Sequence, residues 1–150
     1  MLPETDIRQI GILGDGCAAM SLAARADELP GFRVTIYQPD DRPAPADHIW
    51  GFWTAPHLER AAKLAFASWQ NWKIVSENGA VTMTAQARPY HAMRRSTWMA
   101  HCHDAAKAAK VGYHSLPPRS NDPATIFLDS RPPKVPAGMM LQHFLGLEVR

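Results

Sequence analysis

Ile7-Arg8-Gln9-Ile10-Gly11-Ile12-Leu13-Gly14-Asp15-Gly16-Cys17-Ala18-Ala19-Met20 is the stretch whose reading decides the fold. Ile7, Ile10, Ile12 and Leu13 are apolar and β-prone, and they predict a short buried strand. Two glycines break it. From Cys17 to Leu29 the chain is rich in Ala, Leu and Met, good helix formers, and Pro30-Gly31 stops that helix. Phe32 to Tyr37, with Val34 and Ile36 β-branched, predicts a second strand. Strand, glycine turn, helix and strand between residues 6 and 38 have the size of one βαβ unit. Its strands must be parallel and its crossover right-handed. The fold class predicted is α/β, a Rossmann-like unit on a parallel sheet.

The turn carries the chemistry. Gly14-Asp15-Gly16-Cys17-Ala18-Ala19 fits G-x-G-x-x-G/A between a strand and a helix. Gly14 permits a tight turn, Gly16 presents no side chain to a pyrophosphate, and Ala19 lets the helix pack closely on the sheet. The N–H groups and positive dipole end of the helix then face the phosphates. The bland alternative is an ordinary glycine turn. At the end of the second strand, where an acid usually holds the ribose hydroxyls, stands Gln38, which bonds more weakly than a carboxylate. Asp40 lies two residues on. NADP is compatible with loss of the acid, with Arg42 a distant candidate for its 2′-phosphate.

The rest of the chain is read more coarsely. Pro39 to Ala46 is loop, and Asp47 to Trp53 is densely aromatic. Leu58, Ala62, Ala65 and Trp69 fall at helical spacing and predict a helix over 57–72. Strands over 72–75 and 80–84 flank a Glu77-Asn78-Gly79 turn. Ser96 is read as the N-cap of a helix running to about Lys110 and ended by Gly112. A further strand is predicted over 124–128. The 150 residues are 46% hydrophobic and 20% charged, a globular balance with room for one core. A net charge of +2 without a basic cluster argues against nucleic acid. No apolar run is long enough to span a bilayer. The N-terminus lacks an apolar h-region, and two cysteines in a chain this size suit the cytoplasm, although a Cys17–Cys102 disulfide stays open.

Three ordered segments extend the reading. Asp47-His48-Ile49-Trp50-Gly51-Phe52, Ile126-Phe127-Leu128-Asp129-Ser130-Arg131 and Gln142-His143-Phe144-Leu145-Gly146-Leu147-Glu148 resemble, in order and at near-family spacing, segments of the lycopene cyclase family. Tyr90 to Cys102 resembles the strand and helix that close over the flavin in this wider class. The chain departs from the family at Gln38 and at Pro132-Pro133, where glycine is usual. It also ends at Arg150, before the family's catalytic acidic segment and second glycine-rich segment.

The resemblance implies the N-terminal portion of an FAD-dependent flavoprotein of carotenoid biosynthesis, with NAD(P)H a candidate reductant. Its substrate would be an apolar polyene, and contact with a membrane surface would be peripheral. It implies one partial FAD-binding domain over 1–150, with an excursion over 39–123 and a returning strand and segment over 124–150. Such a piece is expected to be inactive alone and, with an open sheet edge, marginally stable. By resemblance, His48 and Arg95 join Gly14, Asp15, Gly16, Cys17, Ala18, Ala19 and Gln38 as candidate cofactor residues, and no residue is assigned to catalysis. A flavin-dependent monooxygenase or halogenase fragment and a non-catalytic dinucleotide-binding remnant stand as alternatives. Oligomeric state is not legible.

His101-Cys102-His103 places its histidines on different helix faces, and no metal site is read there. For Trp50, Phe52 and Trp53 both core and pocket lining stay open. Asp129 and Arg131 read as a pair near the cofactor or as a cap on the strand end, with the cap favoured.

Overall fold

In a computed structural model, residues 7–40, 46–118 and 126–132 are described. Strand β1 (Arg8–Leu13) runs into the glycine turn, helix α1 (Cys17–Ala23) crosses over, and β2 (Phe32–Gln38) returns parallel to β1, with Ile12 opposite Ile36. The βαβ unit therefore forms where the apolar pattern placed it. Ile10, Ile12, Val34 and Ile36 all face one side of the sheet, as the period of two demands, and lie buried beneath α1. Each apolar side chain so buried contributes roughly 1.5–3 kcal/mol. That apolar face, rather than exposed ion pairs such as Arg25–Glu28, is what seats the helices.

Two more strands complete a parallel sheet of order β8-β2-β1-β9, with β8 (Gly112–Ser115) beside β2 and β9 (Ile126–Asp129) beside β1. Strand β8 was not foreseen; Gly112-Tyr113-His114-Ser115 has no apolar alternation, and only its pairing with β2 makes it a strand. Within the stretch read as an excursion, the chain thus already rejoins the sheet at residue 112. A second, antiparallel sheet has the order β3-β7-β4, from β3 (Ile49–Trp53), β4 (Ala67–Trp69) and β7 (Tyr90–Arg94). Strands β5 (Asn71–Ser76) and β6 (Gly79–Thr84) form the hairpin expected around Glu77-Asn78-Gly79, slightly longer than read. Helix α3 (Arg95–Ala108) packs beside α1 and sends Met99, Cys102 and Ala106 into the same core.

Four expectations are corrected. The helix expected to Leu29 keeps α geometry only to Ala23; Arg25 N–H then bonds the Leu22 carbonyl, and the chain tightens into a 3₁₀ turn over Ala26–Glu28. The helix expected over 57–72 is a 3₁₀ turn over Pro56–Leu58 followed by α2 (Glu59–Lys63). Beyond it Ala67–Trp69 pairs with Tyr90, His91 and Ala92 as β4. Ser96 is not the N-cap of α3. The Arg95 N–H donates to the His48 carbonyl at 3.0 Å and the Ser96 N–H to Asp47 Oδ1 at 2.7 Å. Helical geometry therefore begins at Arg95, capped by a side chain distant in sequence.

Nor does Gly112 end α3. Lys110 does, at φ 58°. Its N–H donates to the Lys107 carbonyl and that of Val111 to Ala106, with Val111 buried, the Schellman pattern. A lysine in that left-handed position carries a cost of about 1 kcal/mol that glycine would not. Lys110→Gly is therefore expected to stabilise the chain by ~0.5–1 kcal/mol, read as a higher urea midpoint with unchanged slope. A lower midpoint would contradict this account of the cap.

Candidate cofactor site

The sheet changes direction at β1. From β1 the chain moves to β2 on one side, and it later returns to β9 on the other, so the crevice outside the carboxyl ends of β1 and β9 is a topological switch point. Gly14 to Gly16 leave β1 there, and Ser130 and Arg131 leave β9 there.

Gly14 is buried at φ 98°, a conformation side chains rarely adopt. Its N–H donates to the Tyr37 carbonyl at 2.8 Å, tying the turn to the end of β2. A Cβ on Gly14 would meet Ser130 Oγ at 2.9 Å and Arg131 Cγ at 3.2 Å. The fold itself therefore requires glycine at 14.

Gly16 differs in kind. It has ordinary extended backbone, φ −70°, and stands as N-cap of α1 with no side chain capping the helix. A Cβ there would meet nothing within 4 Å. Serine or aspartate would cap the helix better, so nothing in this structure calls for glycine at 16. Cys17 and Ala18 are exposed beside the same opening, and Ala19, 1% exposed, packs into the core at the position where a small residue was expected. Asp15 is buried. Burial first, and then the Asp15 charge, push the Tyr113 hydroxyl of β8 up from its ordinary value.

Gln38 closes β2, and its carbonyl accepts the Leu116 N–H at 2.9 Å. Asp40, the alternative acid, takes the hydroxyl of Ser115. Arg42, Pro133 and the 142–148 segment lie outside the described residues. His48 and Arg95 are brought together by the backbone bond that starts α3, and the His48 ring stands edge-on to Trp50 at 5.5 Å. Trp50 packs against the core, Phe52 against the His91 ring, and Trp53 against Tyr90 and Trp72. Both cysteines are free. Burial pushes the fully enclosed Cys102 thiol up to about 11, so it stays protonated. Among the described residues no three metal-type side chains converge. A cleft of about 500 Å³ lined by Ser21, Arg25, His57, Arg60, Trp98 and His101, among others, includes none of the glycine-turn residues.

Sequence reasoning left out Ser130. Its N–H and hydroxyl both donate to the Leu13 carbonyl, at 3.0 and 2.9 Å, which fastens β9 under the glycine turn. Beside it Arg131 forks onto Asp129 at 2.8 and 2.7 Å, and the Arg131 N–H donates to the same carboxylate. The pair caps the strand end and at the same time borders the turn. The Arg131 side-chain hydrogen bonds hold Asp129 down at about 2. A depressed carboxylate stabilises the fold above its unfolded value, near 3.9. That contribution is lost as pH falls through about 2. Arg131→Ala is expected to return Asp129 toward 3.9, followed by its carboxyl NMR titration; an unchanged titration would show that the pair does not hold the acid.

A parallel sheet with a glycine turn and helix start at its switch point defines an α/β protein of Rossmann type. Within that class the chain belongs to the lycopene cyclase family: the family model described as lycopene cyclase protein matches residues 9–116. The match runs from β1 through β8 and ends before Ile126, so the two later segments of resemblance lie beyond it. No protein of curated function matches the chain. Among solved structures it is similar to the tetrameric form of 2-methyl-3-hydroxypyridine-5-carboxylic acid oxygenase, at 20% identity and TM-score 0.53. That likeness covers 72% of this chain and 31% of the other. It is also similar to CtdE in complex with FAD and a substrate, at 17% identity and TM-score 0.50, over 72% of this chain and 30% of the other. The chain thus spans about a third of the length of these structures, and likeness at this identity establishes the fold. No helix among the described residues is long and apolar enough to cross a membrane.

Proposed function

We propose that this chain is the FAD-binding N-terminal portion of a lycopene cyclase-like flavoprotein of carotenoid biosynthesis. The observation that carries the reading is Gly16: a glycine with ordinary backbone, open space where its side chain would be, and a helix end left uncapped. A group approaching from outside, not the fold, accounts for it. The donor chemistry fits a diphosphate, since the first N–H groups of α1 lack intrahelical partners and favour negative charge.

Gly14, Asp15, Gly16, Cys17, Ala18 and Ala19 would hold the pyrophosphate, and Gln38 would bond the ribose through its amide. His48 and Arg95, joined at the start of α3, would lie toward the rest of the cofactor. Residues 1–150 would form one partial FAD-binding domain. Bound reduced flavin would supply stabilisation of positive charge during a redox-neutral ring closure, with NAD(P)H as reductant. The apolar polyene, a peripheral membrane contact and a cytoplasmic location belong to the same proposal. No proton donor is proposed within residues 1–150, so the chain alone would bind cofactor without closing rings.

Titration calorimetry of the 150-residue chain with FAD tests this, and saturable binding is expected. A flat titration with FAD, NAD and ADP would sink it in favour of a non-binding remnant. Binding accompanied by NADPH oxidation that a small aromatic compound stimulates would point instead to a monooxygenase.

A further inference from the structure

We propose that Ser68, His91 and Thr54 form a second site, an acyl-transfer centre on the antiparallel sheet that accepts a small carboxylic ester. His91 lies in the middle strand β7, opposite Ser68 of β4 on one side and Phe52 of β3 on the other. It is 7% exposed, and its ring packs on Phe52 at 5.2 Å between centroids. Its Nδ1 is 2.7 Å from Ser68 Oγ and its Nε2 is 2.7 Å from Thr54 Oγ1, which also reaches the Pro89 carbonyl at 3.1 Å.

With a neutral imidazole, only one proton assignment makes all three contacts hydrogen bonds at once. The Thr54 hydroxyl donates to Pro89, His91 Nε2–H donates to Thr54, and the Ser68 hydroxyl donates to His91 Nδ1. That is a nucleophile on a neutral base whose orientation a third group fixes.

The nucleophile is also reachable. Strand β4 has only β7 as a neighbour among the described residues, Ser68 is exposed, and it lines a cleft of about 420 Å³ with Trp69, Gln70, Asn71 and Pro89. Thr84 holds Asn71 by its amide oxygen at 2.7 Å, which leaves the NH₂ end of Asn71, with the Gln70 amide, as donors for a developing oxyanion.

In the reaction Ser68 Oγ bonds to the ester carbonyl carbon while its proton passes to His91 Nδ1. The alcohol leaves with that proton. Water, deprotonated by the same nitrogen, then attacks the acyl-serine, and the carboxylic acid departs with no change in oxidation state. Thr54 positions His91 but carries no charge to balance the imidazolium, so slow turnover and an acylated enzyme are expected rather than rapid hydrolysis.

A fluorophosphonate reagent, with the adduct mapped by mass spectrometry, tests the site, since Ser68 Oγ would displace fluoride from phosphorus. A single adduct on Ser68 is expected, absent in Ser68→Ala and formed at least tenfold more slowly in Thr54→Val. Thermal melting of each variant shows that it is folded. If Thr54→Val does not fold, Thr54→Ser, which keeps the acceptor, is expected to label at the parent rate. An unlabelled Ser68 in the folded parent, or equal labelling of folded parent and Thr54→Val, would overturn the proposal. Labelling is expected to be indifferent to added FAD, so its outcome is separate from that of the cofactor titration.

Discussion

Gly16→Val is expected to weaken FAD binding by ~100-fold or more, about 2.7 kcal/mol, while stability falls by no more than about 1 kcal/mol, the cost of a poorer N-cap. The two halves of this expectation have different physical sources. The stability loss should stay that small because the backbone at 16 is open to any residue and a Cβ there meets nothing within 4 Å. Affinity should fall because the added side chain occupies the space from which a pyrophosphate would reach the first amides of α1. Hydrogen bonds to a charged group are worth about 1.5–3 kcal/mol each, so losing two suffices for the stated factor. Gly16→Ser is the sharper companion. Serine caps helices slightly better than glycine, so a gain of a few tenths of a kcal/mol in stability is expected beside a loss of affinity. Titration calorimetry with FAD and a urea melt measure the two together. If Gly16→Val binds FAD as the parent does, the diphosphate is not seated on this turn. If it binds weakly only because it melts early, Gly16 is structural after all.

The contrast between Gly14 and Gly16 also marks what the sequence could reveal. The strand, turn, helix and strand from Arg8 to Gln38 are local: their apolar periodicity and punctuating glycines lie within one βαβ unit, and the structure follows them. The hairpin around Glu77-Asn78-Gly79 is legible for the same reason. Failures fall where a distant partner decides. Ala67-Ser68-Trp69 continues a helical apolar spacing, yet pairing with Tyr90 to Ala92 makes it a strand; tertiary pairing overrides local propensity. Ser96 has the chemistry of an N-cap, yet Asp47 provides the cap from across the second sheet.

The site divides along the same line. The glycine turn is visible in six consecutive residues. The floor beneath it, Ser130 on the Leu13 carbonyl, depends on a strand that reaches the site from the far end of the described chain. The resemblance of Asp129-Ser130-Arg131 to a family segment pointed at that stretch, but the role of the serine needed coordinates.

Gly11→Val should destabilise the chain by roughly 1–3 kcal/mol, the usual cost of overpacking a filled interior. Gly11 faces away from the helices, where a Cβ would meet the Phe127 ring at 2.7 Å and Tyr37 Cε2 at 2.9 Å. The Tyr37 ring is the one that cannot yield. Tyr37 is 1% exposed, and Phe127 rests against it at 5.9 Å between ring centroids. The strain should reach the cofactor site, because Gly11 pairs with Phe127 in the same β1–β9 register that sets Leu13 against Asp129 and Ser130 beneath Gly14. A shift of β9 outward would loosen the crevice at both walls, so FAD affinity is expected to fall with stability. That distinguishes Gly11→Val from Gly16→Val, which should cut affinity far more than stability.

Phe127→Ala provides the control. Phe127 is 45% exposed, so its removal alone should cost little, and in the double variant it should recover part of the lost stability while Tyr37 keeps the rest. Urea midpoints of the four chains close the cycle. A Gly11→Val chain as stable as the parent, or a double variant no better than the single one, would mean that the β1–β9 contact is not what holds the second wall of the crevice in place.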